Sequence, residues 1–160
     1  MIQRSLRDPD ATEALGDALA ATQVMPAVVY LHGDLGAGKS TLARAWLRAL
    51  GVTGTIRSPT YTLVERYRLP DGGEALHLDL YRIAAAGELE FLALDDAAGA
   101  LWLVEWPERG GDGLPAADLQ IDLAVAGSGR DARLSGLTPA GIAWLSRFSC
   151  YTGLQPVTDG

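Results

Sequence analysis

Ala27-Val28-Val29-Tyr30-Leu31-His32-Gly33-Asp34-Leu35-Gly36-Ala37-Gly38-Lys39-Ser40-Thr41 decides how this chain folds. Its first five residues have the apolar, partly β-branched character of a short buried strand, and the stretch from Ser40 to Leu50 has helical spacing closed by Gly51. Between them, Gly33 to Ser40 fits the phosphate-loop pattern G-x-x-x-x-G-K-[ST] at every fixed position. A strand that enters such a loop and leaves it as a helix predicts a nucleotide-binding α/β fold.

Each residue type in the loop has a task. Gly33, Gly36 and Gly38 let the backbone curl so that the N–H groups of Asp34, Leu35, Gly36, Ala37 and Gly38 face inward, and the helix that Lys39, Ser40 and Thr41 open adds a partial positive charge behind a bound phosphate. Lys39 is the single lysine among 160 residues, and the other twelve cations are arginines. A compact ammonium on a flexible stem can reach between two phosphates where a planar guanidinium cannot. Ser40 can place a hydroxyl on Mg²⁺.

Length and composition bound what surrounds the loop. A chain of 160 residues makes one domain, so residues 1–160 are expected to form a single unit, with about 151–160 as a frayed tail. Hydrophobic residues make up 48% and charged residues 21%, with no apolar run of the roughly 20 residues that cross a bilayer. The N-terminal stretch Met1 to Pro9 has no apolar core of the secretory kind, and the single cysteine, Cys150, cannot form an internal disulfide. The expectation is a cytoplasmic protein without a membrane partner. A net charge of −7 opposes a broad nucleic-acid face. Arg57, Arg66 and Arg68 cluster in sequence, but read most simply as one solvated strand face.

Outward from the loop, Asp8 and Pro9 open a helix predicted to run to about Ala21. Leu63 to Leu69 and Ala75 to Leu80, joined through Pro70-Asp71-Gly72-Gly73, predict an antiparallel hairpin. Ala84 to about Leu94 has helical spacing, Leu101 to Glu105 is an apolar strand, and Pro107 to Pro115 is a loop. Strands at Leu119–Val125 and Ala132–Leu137 flank a turn at Gly127, and a helix is predicted from Thr138 and Pro139 to about Phe148. The fold class is α/β, a phosphate-loop NTPase-like domain with a mixed parallel and antiparallel sheet flanked by helices.

Magnesium at a phosphate loop needs an acid delivered at the carboxyl end of a strand. Glu105, ending Leu101-Trp102-Leu103-Val104, fits best, with Asp79 after Leu76-His77-Leu78 as a second contact to metal-bound water or a water-orienting group. Thr60, in the loop stiffened by Pro59, is a candidate sensor of the γ-phosphate. His77 reads as a structural histidine rather than a base, and Trp106 either packs over the site or a partner or joins the core. With one lysine, already in the loop, the chain has no Asn-Lys-x-Asp guanine-reading segment. ATP is therefore expected over GTP.

Taken in order, Gly33 to Thr41, Ser58-Pro59-Thr60-Tyr61-Thr62-Leu63-Val64, His77-Leu78-Asp79-Leu80-Tyr81-Arg82, Glu88-Leu89-Glu90 and Val104-Glu105-Trp106-Pro107-Glu108 resemble the TsaE (YjeE) family. The resemblance spans about residues 5 to 137. It implies a small ATPase of tRNA threonylcarbamoyladenosine synthesis that hydrolyses ATP slowly and works with TsaD and TsaB, its turnover resetting those partners; the negative net charge makes the expected tRNA contact an indirect one, through them. It further implies that Lys39 binds phosphate, Ser40 and Glu105 hold Mg²⁺, Thr60 is a switch threonine, and Asp79 and Trp106 act near the nucleotide. Arg130, in Gly129-Arg130-Asp131-Ala132-Arg133, is implied as a further nucleotide contact. Two other readings share the phosphate loop: a small-molecule kinase, and a nucleotide-gated binding module whose hydrolysis is incidental.

Overall fold

The computed structural model describes residues 1–84, 86–92 and 94–151. Seven strands form one sheet: β1 (Ile2–Leu6), β2 (Ala27–His32), β3 (Val64–Arg68), β4 (Glu74–Asp79), β5 (Leu101–Glu105), β6 (Leu119–Ala126) and β7 (Gly129–Gly136). Their spatial order is β1-β7-β6-β2-β5-β4-β3. The four central strands β6, β2, β5 and β4 run parallel, and antiparallel pairs extend the sheet on both sides. The carboxyl ends of β2, β5 and β4 therefore lie side by side. That is the edge at which an open α/β sheet binds ligands.

Three helices, α1 (Pro9–Thr22), α2 (Lys39–Ala49) and α3 (Pro139–Ser149), cover one face. Asp8 caps α1 by accepting a 2.9 Å hydrogen bond from the Ala11 amide, and Thr138 caps α3 through the Gly141 amide, contacts worth about 1 kcal/mol each. Leu15, Ala18 and Leu19 of α1 pack with Leu42, Ala43, Trp46 and Leu47 of α2 over Val29, Leu31, Leu101 and Leu103. Trp46 meets Trp144 of α3 edge to face, with ring centroids 5.6 Å apart. A second core on the other face gathers Leu76, Leu78, Leu80, Trp102 and Val104 beneath Ile83, Leu89 and Ala97.

Because strand side chains alternate between faces, the odd-numbered residues of β4 and β5 point toward α2. His77, Asp79, Leu103 and Glu105 thus share the helix-bearing face, and Asp79 lies in register with Glu105. This alternation brings acids and the start of α2 together.

Three differences from the sequence reading stand out. A strand, β1, precedes the first helix and pairs antiparallel with β7. The segment expected as a helix from Ala84 to Leu94 forms a 3-10 helix at Ala86–Leu92, and its Ala85 and Ala93 lie outside the described residues. Gly87 costs an α-helix about 1 kcal/mol relative to alanine, and a short tight turn is enough to drop Leu89 onto the second core. The Pro107–Pro115 loop contains two further 3-10 turns, Pro107–Arg109 and Gly111–Gly113. Of the tail expected to fray, about 151–160, residues 152–160 lie outside the described residues.

Candidate functional site

The phosphate loop leaves the carboxyl end of β2 and turns into α2 through three glycines with positive φ: Gly33 at 150°, Gly36 at 81° and Gly38 at 105°. Gly33 is constrained twice, since a Cβ there would stand 2.5 Å from the Leu123 carbonyl oxygen. The Ala37 amide closes a turn onto the Asp34 carbonyl at 3.0 Å, Ala37 is buried, and Leu35 is exposed at the outer rim. Gly38 precedes the first helical residue without a side-chain cap, so the opening amides of α2 are free to meet an anion.

Lys39 is 96% buried in this setting, with its ammonium donating to the carbonyls of Gly33 and Asp34. It also lies 4.2 Å from the centre of the Trp106 ring. Burial pushes the Lys39 pKa down, and the neighbouring Glu105, Asp79, Glu108 and Asp34 oppose that shift.

Opposite the loop stand the acids. Glu105 is 2% exposed and Asp79 7%. The Ser40 hydroxyl lies 3.1 Å from each Glu105 oxygen, and His77 Nε2 lies 2.6 Å from Glu105 Oε2. Asp79 accepts the Tyr81 amide at 3.1 Å and the Thr60 hydroxyl at 3.5 Å. Burial raises the Asp79 pKa; the Tyr81 amide counters this, and the nearby Glu105 charge adds to it. Thr60 also shares a 2.7 Å hydrogen bond with Ser58, in a loop that Leu63 fastens by donating to Pro59 and accepting the Asp79 amide.

Beyond Glu105 the backbone turns sharply. Trp106 takes a left-handed conformation, φ 56° and ψ 49°, a state that costs a non-glycine residue about 1–2 kcal/mol and is found where the surroundings impose it. Its ring packs 5.0 Å from Tyr81, and the Arg109 guanidinium lies over both rings. On the other side of the phosphate loop, Arg130 donates to the Gly36 carbonyl at 3.0 Å. A cleft of 130 Å³ opens beside it, lined by Asp8, Pro9, Thr12, Thr41, Gly129 and Arg130 among others.

The residues expected from sequence thus converge. Lys39, Ser40, Glu105, Asp79, Thr60 and Trp106 meet at one sheet edge, while Thr41 and Arg130 flank the loop on the other side. Sequence reasoning gives no role to Arg109 and no contact to His77. The spacing His77-x-Asp79 could have placed His77 on the face of the acid, but its contact with Glu105 depends on strand order. Hydroxyl and carboxylate oxygens suit a hard cation such as Mg²⁺, and among the described residues no cluster of three or more His, Cys, Asp and Glu could hold a metal. Ser40 and Glu105 are the residues that offer such oxygens here.

A strand, glycine-rich loop and helix, with acids on the neighbouring parallel strands, define a phosphate-loop NTPase-like fold. Residues 6–133 match the model of the family described as Threonylcarbamoyl adenosine biosynthesis protein TsaE. The chain belongs to this family. Proteins named tRNA threonylcarbamoyladenosine biosynthesis protein TsaE are 43% identical in Haemophilus influenzae, over 76% of this chain and 78% of the relative, and 37% identical in Bacillus subtilis, over 75% of each. The Rickettsia bellii protein of that name is 33% identical over 85% of this chain and 94% of its own length. The crystal structure of YdiB from Bacillus subtilis superposes with a TM-score of 0.76 at 26% identity, covering 93% of this chain and 94% of the other.

Among the described residues, no helix is long and apolar enough to cross a membrane.

Proposed function

We propose that this chain binds Mg²⁺–ATP and hydrolyses it slowly as a subunit of the tRNA threonylcarbamoyladenosine machinery, its turnover resetting a TsaD–TsaB complex between rounds. The observation that carries the reading is the meeting of the Lys39–Ser40 start of α2 with Glu105 and Asp79 at the ends of two adjacent parallel strands. The names of the relatives supply the pathway, and the site supplies the chemistry.

Lys39 and the amides from Asp34 to Thr41 are suited to bind the phosphates, with the Lys39 ammonium leaving the Gly33 and Asp34 carbonyls to do so. Ser40 would hold Mg²⁺ directly and Glu105 through water. When bound, that ion would neutralise charge building on the transferred phosphoryl group. Asp79 and Thr60, joined by a hydrogen bond, would sense the γ-phosphate and orient an attacking water. The cleft at Asp8, Thr12 and Arg130 is suited to the ribose and base. With a net charge of −7, contact with tRNA would run chiefly through the partners.

Reconstitution with TsaD, TsaB, tRNA and a threonylcarbamoyl donor tests the reading. ATP should support many modification rounds per complex and a non-hydrolysable analogue about one. Many rounds with the analogue would instead favour a nucleotide-gated binding module.

A further inference from the structure

His77 is 98% buried, and its ring reaches across from β4 to β5. It pairs with Leu103 in register and so stands one rung below Glu105 on the same face. There its Nε2 lies 2.6 Å from Glu105 Oε2, whereas its Nδ1 is buried with no hydrogen-bond partner among the described residues. The two nitrogens therefore have different tasks. A proton on Nδ1 would be a buried donor facing nothing, which costs more than leaving an acceptor lone pair unmatched; the proton that bridges the pair belongs on Nε2.

We infer that His77 is a positioning residue, which pins one oxygen of Glu105 so that the other stays aimed at the metal side of the phosphate loop. The inference rests on the Mg²⁺–ATP reading of the site and extends it to a residue that touches neither nucleotide nor metal.

Glu105 is as deeply buried as His77, and a carboxylate in that position needs donors. Among the described residues its side-chain donors are the Ser40 hydroxyl and His77 Nε2. When Ser40 gives an oxygen lone pair to a cation, its O–H still has a single proton, enough for one of the two Glu105 oxygens. His77 holds Oε2 from the other side at 2.6 Å, and the two donors together fix the carboxylate plane. It does not serve as a base toward substrate, because Nε2 is engaged and Nδ1 is enclosed.

The test compares three variants: His77→Gln can return an N–H near Nε2, His77→Asn presents one near the unpartnered Nδ1, and His77→Leu fills space with no donor. ADP binding is titrated calorimetrically across Mg²⁺ concentrations, beside thermal melts and the Mg²⁺ dependence of hydrolysis. His77→Leu and His77→Asn should raise the half-saturating Mg²⁺ by about tenfold or more, with His77→Gln staying within about threefold of the parent. ADP affinity without Mg²⁺ should be unchanged in all three.

Lower melting temperatures with an unaltered Mg²⁺ requirement would overturn the inference and leave His77 a core residue. Should His77→Leu not fold, His77→Asn against His77→Gln decides, and equal Mg²⁺ dependence in that pair would also overturn it. Parent protein whose ADP affinity ignores Mg²⁺ would contradict the reading of the site itself, and the role of His77 with it.

Discussion

The Ser40 hydroxyl stands 3.1 Å from both oxygens of Glu105, across 65 residues of sequence. Packing α2 against the parallel strand β5 creates this contact, and neither element could make it alone. Replacing Glu105 by Gln keeps the side-chain volume and a hydrogen bond to Ser40 but removes the charge. Mg²⁺-dependent hydrolysis should fall about 10- to 100-fold while nucleotide affinity measured without Mg²⁺ changes little. Unchanged turnover in Glu105→Gln would transfer the metal-side role to Asp79.

Lys39 is folded against the carbonyls that open its own loop, and burial depresses its pKa. The unfolded chain therefore holds this proton to higher pH than the folded one. Stability rises with pH as the lysine range is approached, and at neutral pH the buried ammonium is a net cost. Lys39→Met, which keeps the aliphatic stem, should melt no lower than the parent without nucleotide, with any advantage shrinking as pH rises toward about 10. The same variant should lose about 100-fold or more in ATP turnover. Thermal melts and hydrolysis assays measured together check both halves.

Asp79 shows the opposite linkage. Its raised pKa means that the unfolded chain ionises first, so stability declines as pH climbs from the ordinary carboxyl range through the raised value. In Asp79→Asn that loss is absent. Its melting temperature relative to the parent should improve as pH rises above about 4. A difference that stays flat across this range would show that the burial penalty is already relieved by the Tyr81 and Thr60 hydrogen bonds.

Trp106 offers an optical readout. The Lys39 ammonium lies 4.2 Å from its ring centre, whereas Trp46, Trp102 and Trp144 are buried within the two cores. Moving the ammonium onto phosphate changes the field at Trp106 alone among the four. Nucleotide should therefore shift tryptophan emission in the parent, and Trp106→Phe should abolish the shift while still binding. A shift of equal size in Trp106→Phe would mean that the signal comes from elsewhere.

Two glycines of the same loop separate steric clash from backbone strain. A Cβ on Gly33 meets the Leu123 carbonyl at 2.5 Å, but one on Gly36 meets nothing within 4 Å. Gly36→Ala should cost about 1–2 kcal/mol, the penalty of a left-handed conformation, and Gly33→Ala more than that because backbone must move. Denaturant unfolding of the pair ranks them directly.

Much of this site was legible because local rules carry it. The phosphate loop announces its own strand and helix, and apolar Leu101–Val104 ending in Glu105 marks a central parallel strand with an acid at its carboxyl end. Strand β1 was hidden for a physical reason. Its core-facing position Arg4 covers the Phe148 ring with a guanidinium 5.5 Å away, so apolar alternation is broken by a residue whose stem still packs. The His77–Glu105 contact was hidden because it depends on β4 lying beside β5 in the register that pairs Asp79 with Glu105. Sequence spacing along one strand carries no information about which strand becomes its neighbour.

The central claim is that Lys39, Ser40 and Glu105 form a working Mg²⁺–ATP site, and hydrolysis by purified protein tests it most directly. ATP turnover would be measured with and without Mg²⁺, alone and with TsaD, TsaB and tRNA, using Lys39→Ala as control. The account predicts slow Mg²⁺-dependent turnover that rises with the partners and vanishes in the variant. Full activity in Lys39→Ala would contradict it.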